Sequence, residues 1–103
     1  MFGRKKANKL IEDIDRYFDL MDQSVLAFKD GVRNYLYSNN DDFNGNLKKM
    51  SDLESETEVL RREIENGLFT QTALVRSRGD IMRLLEKTRN ITAILYDSLC
   101  QFE

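Results

Sequence analysis

The chain has 103 residues, 16 basic and 18 acidic, with no proline and a formal net charge of −2, which is typical of a single domain built from long helices. A charge this close to zero gives neither a general basic field for nucleic acid nor a strongly acidic surface for cationic partners, so no nucleic-acid partner is expected. The sequence contains no histidine, which removes the commonest general base and the commonest transition-metal ligand and argues against an enzyme.

The first helix is predicted over residues 7–37. Apolar side chains recur there at alternating spacings of three and four, which is the pattern of a coiled-coil-like seam. The members of this seam are Ile11, Ile14, Phe18, Met21, Val25, Phe28, Val32 and Tyr35. We expect the seam to form the core, whereas Tyr17, Tyr37 and Tyr96 lie off the apolar stripes and are expected to contact a partner.

The second helix is predicted over residues 42–67, after a run of turn-forming Ser, Asn and Asp residues, with Gly67 as its C-terminal cap. Its apolar stripe is interrupted half-way along. The alternating spacing of four and three residues places the polar side chains Glu54, Thr57 and Arg61 on this stripe. One interpretation is a network of ion pairs between helices. The other is a slight rotation that buries the neighbouring residues Leu53 and Leu60 and turns Glu54 and Arg61 towards solvent.

The third helix is predicted over residues 78–102, with Ser77 as the N-terminal cap. Its apolar stripe consists of Ile81, Leu84, Leu85, Thr88, Ile91, Leu95, Leu99 and Phe102. Short connectors make neighbouring helices antiparallel. The sequence therefore predicts an all-α, up-down-up three-helix bundle over residues 1–103.

A network of charges is expected at mid-height of this bundle. If the second and third helices fold back on each other, two residues whose numbers sum to about 147 lie at the same height along the bundle. This places Glu58 beside Arg89 and Arg61 beside Glu86. Folding the first helix onto the second brings Asp19 near Arg61 and Asp22 near Glu58. Such a network fixes the register of the helices and adds little net stability, because desolvation offsets the attraction.

A metal site is the alternative for the same region. Glu54 and Glu58 are four residues apart and project from one helical face. Paired carboxylates on bundle helices bind hard cations, or iron when more acids converge. Arg89 stands at the height where a further acid would be needed, and its permanently charged guanidinium can take the place of a cation.

Two stretches of the chain resemble a known family. The segment LESETEVLRREIENGLFTQTALVRSRGDIMRLLEKTRNI and the start MFGRKK are similar to the PhoU-like phosphate transport regulators encoded beside Pit-type phosphate transporters. That family has an LExEAD element followed by an RREI-like run, a linker and an RxDI..LLE..D.I element. The resemblance implies a PhoU-like bundle and a non-enzymatic accessory role, with a phosphate transporter or its sensing machinery as the partner.

The resemblance also implies which residues would hold a divalent or iron cluster. Glu54 and Glu58 match the first acidic element of the family, and Asp80 and Glu86 match the acids of the later helix. The chain departs from the family at Arg89, where an acid is expected, and at Thr57, where a small alanine is expected. These departures argue against a bound cluster.

PhoU-like proteins usually run to about twice this length, with a second three-helix half. An apolar face that the second half would cover is therefore expected to be exposed here, and such a face favours association. A twofold homodimer is the simplest way to rebuild a six-helix body. A structural dimerisation module without a ligand is the alternative function.

The beginning of the chain bears on location. Arg4, Lys5 and Lys6 form a basic cluster that can touch anionic headgroups or act as a solvated tail. No apolar run approaches the ~20 residues that cross a bilayer, and the N-terminus lacks the apolar stretch of a signal peptide. With Cys100 as the single cysteine, we expect a reducing, cytoplasmic setting, peripheral to the inner membrane and without insertion into it.

Overall fold

A computed structural model describes residues 2–70 and 75–102, with side-chain placements for residues 8–70 and 78–102. It contains three helices, α1 (Phe2–Leu36), α2 (Asn40–Thr70) and α3 (Val75–Cys100), and no strand within these ranges. The helices form a rod with dimensions of 55 × 21 × 15 Å. The predicted all-α three-helix bundle is confirmed. None of the described helices combines the length and the apolar character needed to cross a bilayer.

The ends of the helices differ from the predicted ends. α2 continues to Thr70, so Gly67 lies inside the helix and does not cap it. The helix continues because it carries Leu68 into the core, where this side chain is fully buried. α3 already begins at Val75, so the prediction that Ser77 caps its start is wrong.

A tight turn joins α1 to α2. Ser38 has a φ of 60°, and its amide donates to the carbonyl of Tyr35 at 3.1 Å. The amide of Asn39 donates to the carbonyl of Asn34 at 2.8 Å, which closes the end of α1. This short connection makes the two helices antiparallel neighbours, as predicted.

The buried stripe of α2 settles the question of its polar centre. Leu53 and Leu60 are buried, whereas Glu54 and Arg61 are half-buried at the edge of the core. α2 is therefore rotated far enough to bury both leucines, but Glu54 and Arg61 do not reach solvent fully, and an ion pair between Glu58 and Arg89 joins α2 to α3 as the other interpretation predicted. The full stripe is Phe43, Leu47, Met50, Leu53, Thr57, Leu60, Ile64 and Leu68.

α1 buries a different face from its apolar seam. Among its described side chains, the buried positions are Leu10, Tyr17, Leu20, Ser24, Ala27 and Gly31. Three members of the seam, Ile11, Val25 and Tyr35, are exposed to 56%, 44% and 47%, and the other members are half-buried. At 3.6 residues per turn, the helix is rotated by about a quarter turn from the predicted orientation. The expectation that the whole seam forms the core is therefore wrong, although Ile14, Phe28 and Val32 pack against the core, and Tyr17 lies inside the core and not off it.

Small side chains on α1 explain this rotation. An added Cβ at Gly31 would lie 2.6 Å from Leu99 Cδ2, which means that the side chain of Leu99 on α3 packs directly against the backbone of α1 at this point. Ala27 and Ser24 lie on the same face, one and two turns earlier. Such packing brings more atoms into contact than the bulkier seam would allow.

Candidate functional site

The half-buried charges of α2 converge on the carboxylate of Glu58. Arg61 Nε donates to Glu58 Oε2 at 3.1 Å, and Arg89 Nε, on α3, lies 3.0 Å from the same oxygen. Arg62 Nε lies 3.5 Å from Glu58 Oε1, and Arg61 forms a second ion pair with Glu65. Glu58 therefore joins α2 to α3, and its pair with Arg89 has the register that the sequence predicted.

The arginines keep the Glu58 carboxylate ionised. The hydrogen bond from Arg61, assisted by the charges of Arg61 and Arg89, holds the pKa of Glu58 below its ordinary value of 4.5, although burial acts in the opposite direction. The same hydrogen bond raises the pKa of Arg61. The Arg61 and Glu58 side chains are 18% and 27% exposed, so solvent screens their attraction only in part.

Other members of the predicted charge network lie away from Glu58. Asp19 and Asp22 are exposed on α1, because the rotation of this helix turns them outward. Glu86 is exposed on α3, where it lines a hollow of about 260 Å³ together with Arg61 and Arg89. Among the described side chains, no ion pair joins any of these three acids to the cluster.

The four acids that match the metal-binding elements do not converge. Asp80 pairs with Arg83 on its own helix, and it lies nine positions before Arg89, which is about 13 Å along the helix axis. Both oxygens of Glu58 face arginines. In residues 8–70 and 78–102, no group of three Asp, Glu or Cys side chains is placed to hold a metal ion. The residues present therefore do not fit a divalent or iron cluster that uses Glu54, Glu58, Asp80 and Glu86.

Glu54 lies one turn before Glu58 in a different environment. Burial raises the pKa of Glu54 above its ordinary value of 4.5, and the negative charge of Asp97 acts in the same direction. Arg89 opposes these effects only in part. Glu54 lines a hollow of about 540 Å³ between α2 and α3. Two neighbouring carboxyl groups thus have opposite pKa shifts, because the arginines bond to Glu58 and leave Glu54 without a hydrogen-bonded partner among the described side chains.

Tyr17 is a buried polar residue that the apolar pattern of α1 did not predict. It is 0% exposed, and its hydroxyl donates to the carbonyl of Leu85 at 2.7 Å, with Thr88 Oγ1 at 3.0 Å. Burial raises the pKa of Tyr17, and the hydrogen bond with Thr88 opposes this effect. Tyr17 shares a helical face with Leu10, Leu20 and the small residues after them, and this spacing could have predicted that it is buried. The larger side chains of the seam gave a stronger apolar pattern on the neighbouring face.

The basic cluster of Arg4, Lys5 and Lys6 falls outside the side chains that the structure describes. Tyr37 is 73% exposed, as expected for a residue off the stripes. Tyr96 instead packs against the core.

Because of the rotation of α1, its apolar seam lies along the groove between α1 and α3. Three contacts hold these helices parallel: Tyr17 with Leu85, the close approach of Gly31 to Leu99, and the stacking of Tyr35 on Phe102 at 4.8 Å. Each contact joins a residue of α1 to one about 68 positions later in the chain. Ion pairing of Arg16 with Glu56 places α2 on the other side of α1.

Two exposed apolar side chains of α3 lie on the same groove. Leu84 and Ile91 are 49% and 44% exposed. They are four and three positions from Thr88, which contacts Tyr17, so they share its side of α3. We define the α1–α3 face as the α1 seam together with these two residues. The members of this face are Ile11, Ile14, Phe18, Met21, Val25, Phe28, Val32, Tyr35, Leu84 and Ile91.

The fold and these surfaces define an all-α helical-bundle protein with a charged α2–α3 edge and an apolar α1–α3 face. No family model matches the chain, and no solved structure matches it. A curated relative, the UPF0111 protein of Thermotoga maritima, is 27% identical over 90 residues, which are 87% of this chain and 42% of the relative. The chain thus spans less than half the length of this relative, whose name states no activity, ligand or partner.

Proposed function

We propose that this chain is a non-enzymatic accessory or regulatory protein that acts by binding other proteins through its helices. The observation that carries the proposal is the α1–α3 face, where Ile11, Val25, Leu84 and Ile91 are each at least 44% exposed. Soluble monomers rarely expose contiguous apolar patches of more than a few hundred Å². Association of amphipathic helix faces is a common mode of protein recognition, and this face has the required length and spacing.

The proposed partner is a phosphate transporter or the machinery that senses phosphate. This part of the proposal is supported by the resemblance to PhoU-like phosphate transport regulators, which covers most of α2 and α3. A cytoplasmic position, peripheral to the inner membrane, belongs to the same proposal. The ion pair between Glu58 and Arg89 favours a form of the protein that needs no metal, because the guanidinium supplies the positive charge at this height.

Capture of the transporter tests this proposal. The purified protein is immobilised and exposed to a detergent-solubilised Pit-type phosphate transporter from the same genome, with an unrelated transporter of similar size as the control. We expect selective retention of the phosphate transporter. Equal retention of both transporters, or of neither, would contradict the proposed partner.

The second candidate function is a structural dimerisation module without a ligand, which the same α1–α3 face favours. It predicts self-association of the purified chain with no retention of the phosphate transporter. Both candidates need a protein to cover the apolar face, and they differ in what the assembled protein then binds.

A further inference from the structure

We infer that a second copy of this chain covers the α1–α3 face, with the two α1 helices antiparallel about a twofold axis near residue 23. This inference rests on the proposed role in protein binding and identifies the first partner. It follows from three properties of the described residues: the spacing of the apolar seam, the position of Ile91 and the order of charges along α1.

The apolar seam of α1 is complementary to itself when it is reversed. With a twofold axis near residue 23, a residue of one α1 helix faces the residue of the partner's α1 helix whose number brings the sum to about 46. Ile11 then meets the partner's Tyr35, Phe18 meets the partner's Phe28, and Met21 meets the partner's Val25. Every seam position meets another seam position, which is how a and d positions pair in an antiparallel coiled coil.

α3 gives an independent check on this axis. Because residues of α3 lie level with residues of α1 about 68 positions earlier, an axis near residue 23 of α1 passes α3 at about residue 91. Ile91 is 44% exposed on the α1–α3 face, so it would meet the partner's Ile91 across the axis. One symmetry operation therefore covers the exposed seam residues of α1 together with Ile91 of α3.

The charges beside the seam favour the same orientation. The exposed positions that flank the seam away from α3 are acidic at Asp15 and Asp22 and basic at Lys29 and Arg33. None of these four side chains forms an ion pair within the described residues. Of these four residues, an antiparallel pairing places Asp15 beside the partner's Lys29 and brings like charges together only at Asp22, near the axis, whereas a parallel pairing would place all four against their own copies.

The size of the face suits a stable dimer. At 1.5 Å per residue, the seam from Ile11 to Tyr35 is about 36 Å long, and two adjacent helices are about 20 Å wide. The product is on the order of 700 Å², close to the ~800 Å² per partner of a standard specific interface.

Sedimentation equilibrium over a wide range of concentrations tests the association. We expect the wild-type chain to form a dimer, and Val25→Glu to raise the dimer Kd on the order of 100-fold, because each interface would then bury two unpaired carboxylates. Val59→Glu is the matched control, because Val59 is 58% exposed on the outer side of α2 and its replacement should leave the Kd unchanged. Circular dichroism shows that the variants keep their helices.

Cysteine cross-linking tests the position of the axis. In a Cys100→Ser background, Ile91→Cys should form a covalent dimer under mild oxidation, because two copies of the residue meet at the axis. Val59→Cys in the same background should stay monomeric on a denaturing gel. Equal cross-linking of both variants would overturn the proposed arrangement.

Exchange of charges tests the antiparallel orientation. Lys29→Glu should weaken the dimer several-fold, and adding Asp15→Lys in the same chain should restore it, because the pair is re-formed with reversed signs. A double variant weaker than Lys29→Glu alone would overturn the orientation.

These outcomes are independent of transporter capture. A wild-type chain that stays monomeric at every concentration overturns the dimer, even if the phosphate transporter is retained. A dimer that cross-links at residue 91 supports the inference, even if no transporter is retained, and in that case the proposed transporter partner is what fails.

Discussion

Replacement of Gly31 by alanine tests the close approach of α1 and α3, on which the rotation of α1 depends. Within a helix, alanine is favoured over glycine by about 1 kcal/mol. At this position the new Cβ would lie 2.6 and 2.9 Å from the two methyl groups of Leu99, and 3.3 Å from Asn46 Cβ. Leu99 is fully buried and cannot turn towards solvent, so the side chain must shift within the core.

The two effects have opposite signs, and the magnitudes decide the outcome. Overpacking of a well-packed core costs about 1–3 kcal/mol, which exceeds the gain in helix propensity. We therefore expect Gly31→Ala to lower the free energy of unfolding by about 1 kcal/mol. Gly45, inside α2, is the matched control, because an added Cβ there meets no atom within 4 Å. Gly45→Ala should raise the free energy of unfolding by about 0.5–1 kcal/mol.

Thermal and urea unfolding, followed by circular dichroism at one fixed protein concentration, measure both effects. For a domain of this size, a change of 1 kcal/mol moves Tm by roughly 4–8 °C, so the two variants should shift Tm in opposite directions. In a Leu99→Ala background, the clash is removed and Gly31→Ala should become stabilising. An equal rise in Tm for Gly31→Ala and Gly45→Ala in the wild-type background would refute the close approach.

Further predictions concern the buried hydroxyl and the two carboxyls of α2. Tyr17→Phe removes a buried hydrogen bond to the carbonyl of Leu85 and should cost about 1 kcal/mol in urea unfolding, with no loss of helix content; a variant as stable as wild type would contradict this bond. Because Arg61 holds the folded pKa of Glu58 below 4.5, the stabilisation from Glu58 is present above that pH and is lost as pH falls through the lower, folded pKa. Glu58→Gln should therefore lower the free energy of unfolding by about 1 kcal/mol at pH 7, and this loss should shrink as the pH falls further below 4.5. Glu54 has a raised folded pKa, so its ionisation destabilises the fold as pH rises through that value, and Glu54→Gln should instead be stabilising at pH 7. Urea unfolding of both variants at pH 7 and pH 3 compares the signs, and a loss of stability from both at pH 7 would contradict the opposite environments.

Much of the architecture could be predicted because it depends on local pattern. Heptad spacing without proline specifies long helices, and short connectors make neighbours antiparallel. The register of α2 against α3 followed from the same argument, as the ion pair between Glu58 and Arg89 illustrates. Exact helix ends were less predictable: α2 passes Gly67 to reach Thr70 because Leu68 is buried against the other helices, a contact that local sequence does not reveal.

The candidate sites were predicted less well. The family motif pointed to Glu54, Glu58, Asp80 and Glu86 as a set, but convergence of side chains depends on height along the bundle. Asp80 lies about 13 Å from the level of Glu58 and pairs with Arg83 on its own helix. The pairing of Asp19 and Asp22 with α2 failed for a different reason, because it assumed the wrong buried face of α1.

The sequence by itself determined three amphipathic helices, their order and the charged pair that crosses from α2 to α3, because these features depend on spacing along the chain. Only the tertiary structure decided which side of α1 enters the core. Large apolar side chains dominate the periodic pattern, but small residues on α1 let a side chain of a neighbouring helix pack directly against its backbone, as Leu99 does at Gly31. Ser24, Ala27 and Gly31 therefore face inward with Tyr17, and the seam from Ile11 to Tyr35 is left along an open groove.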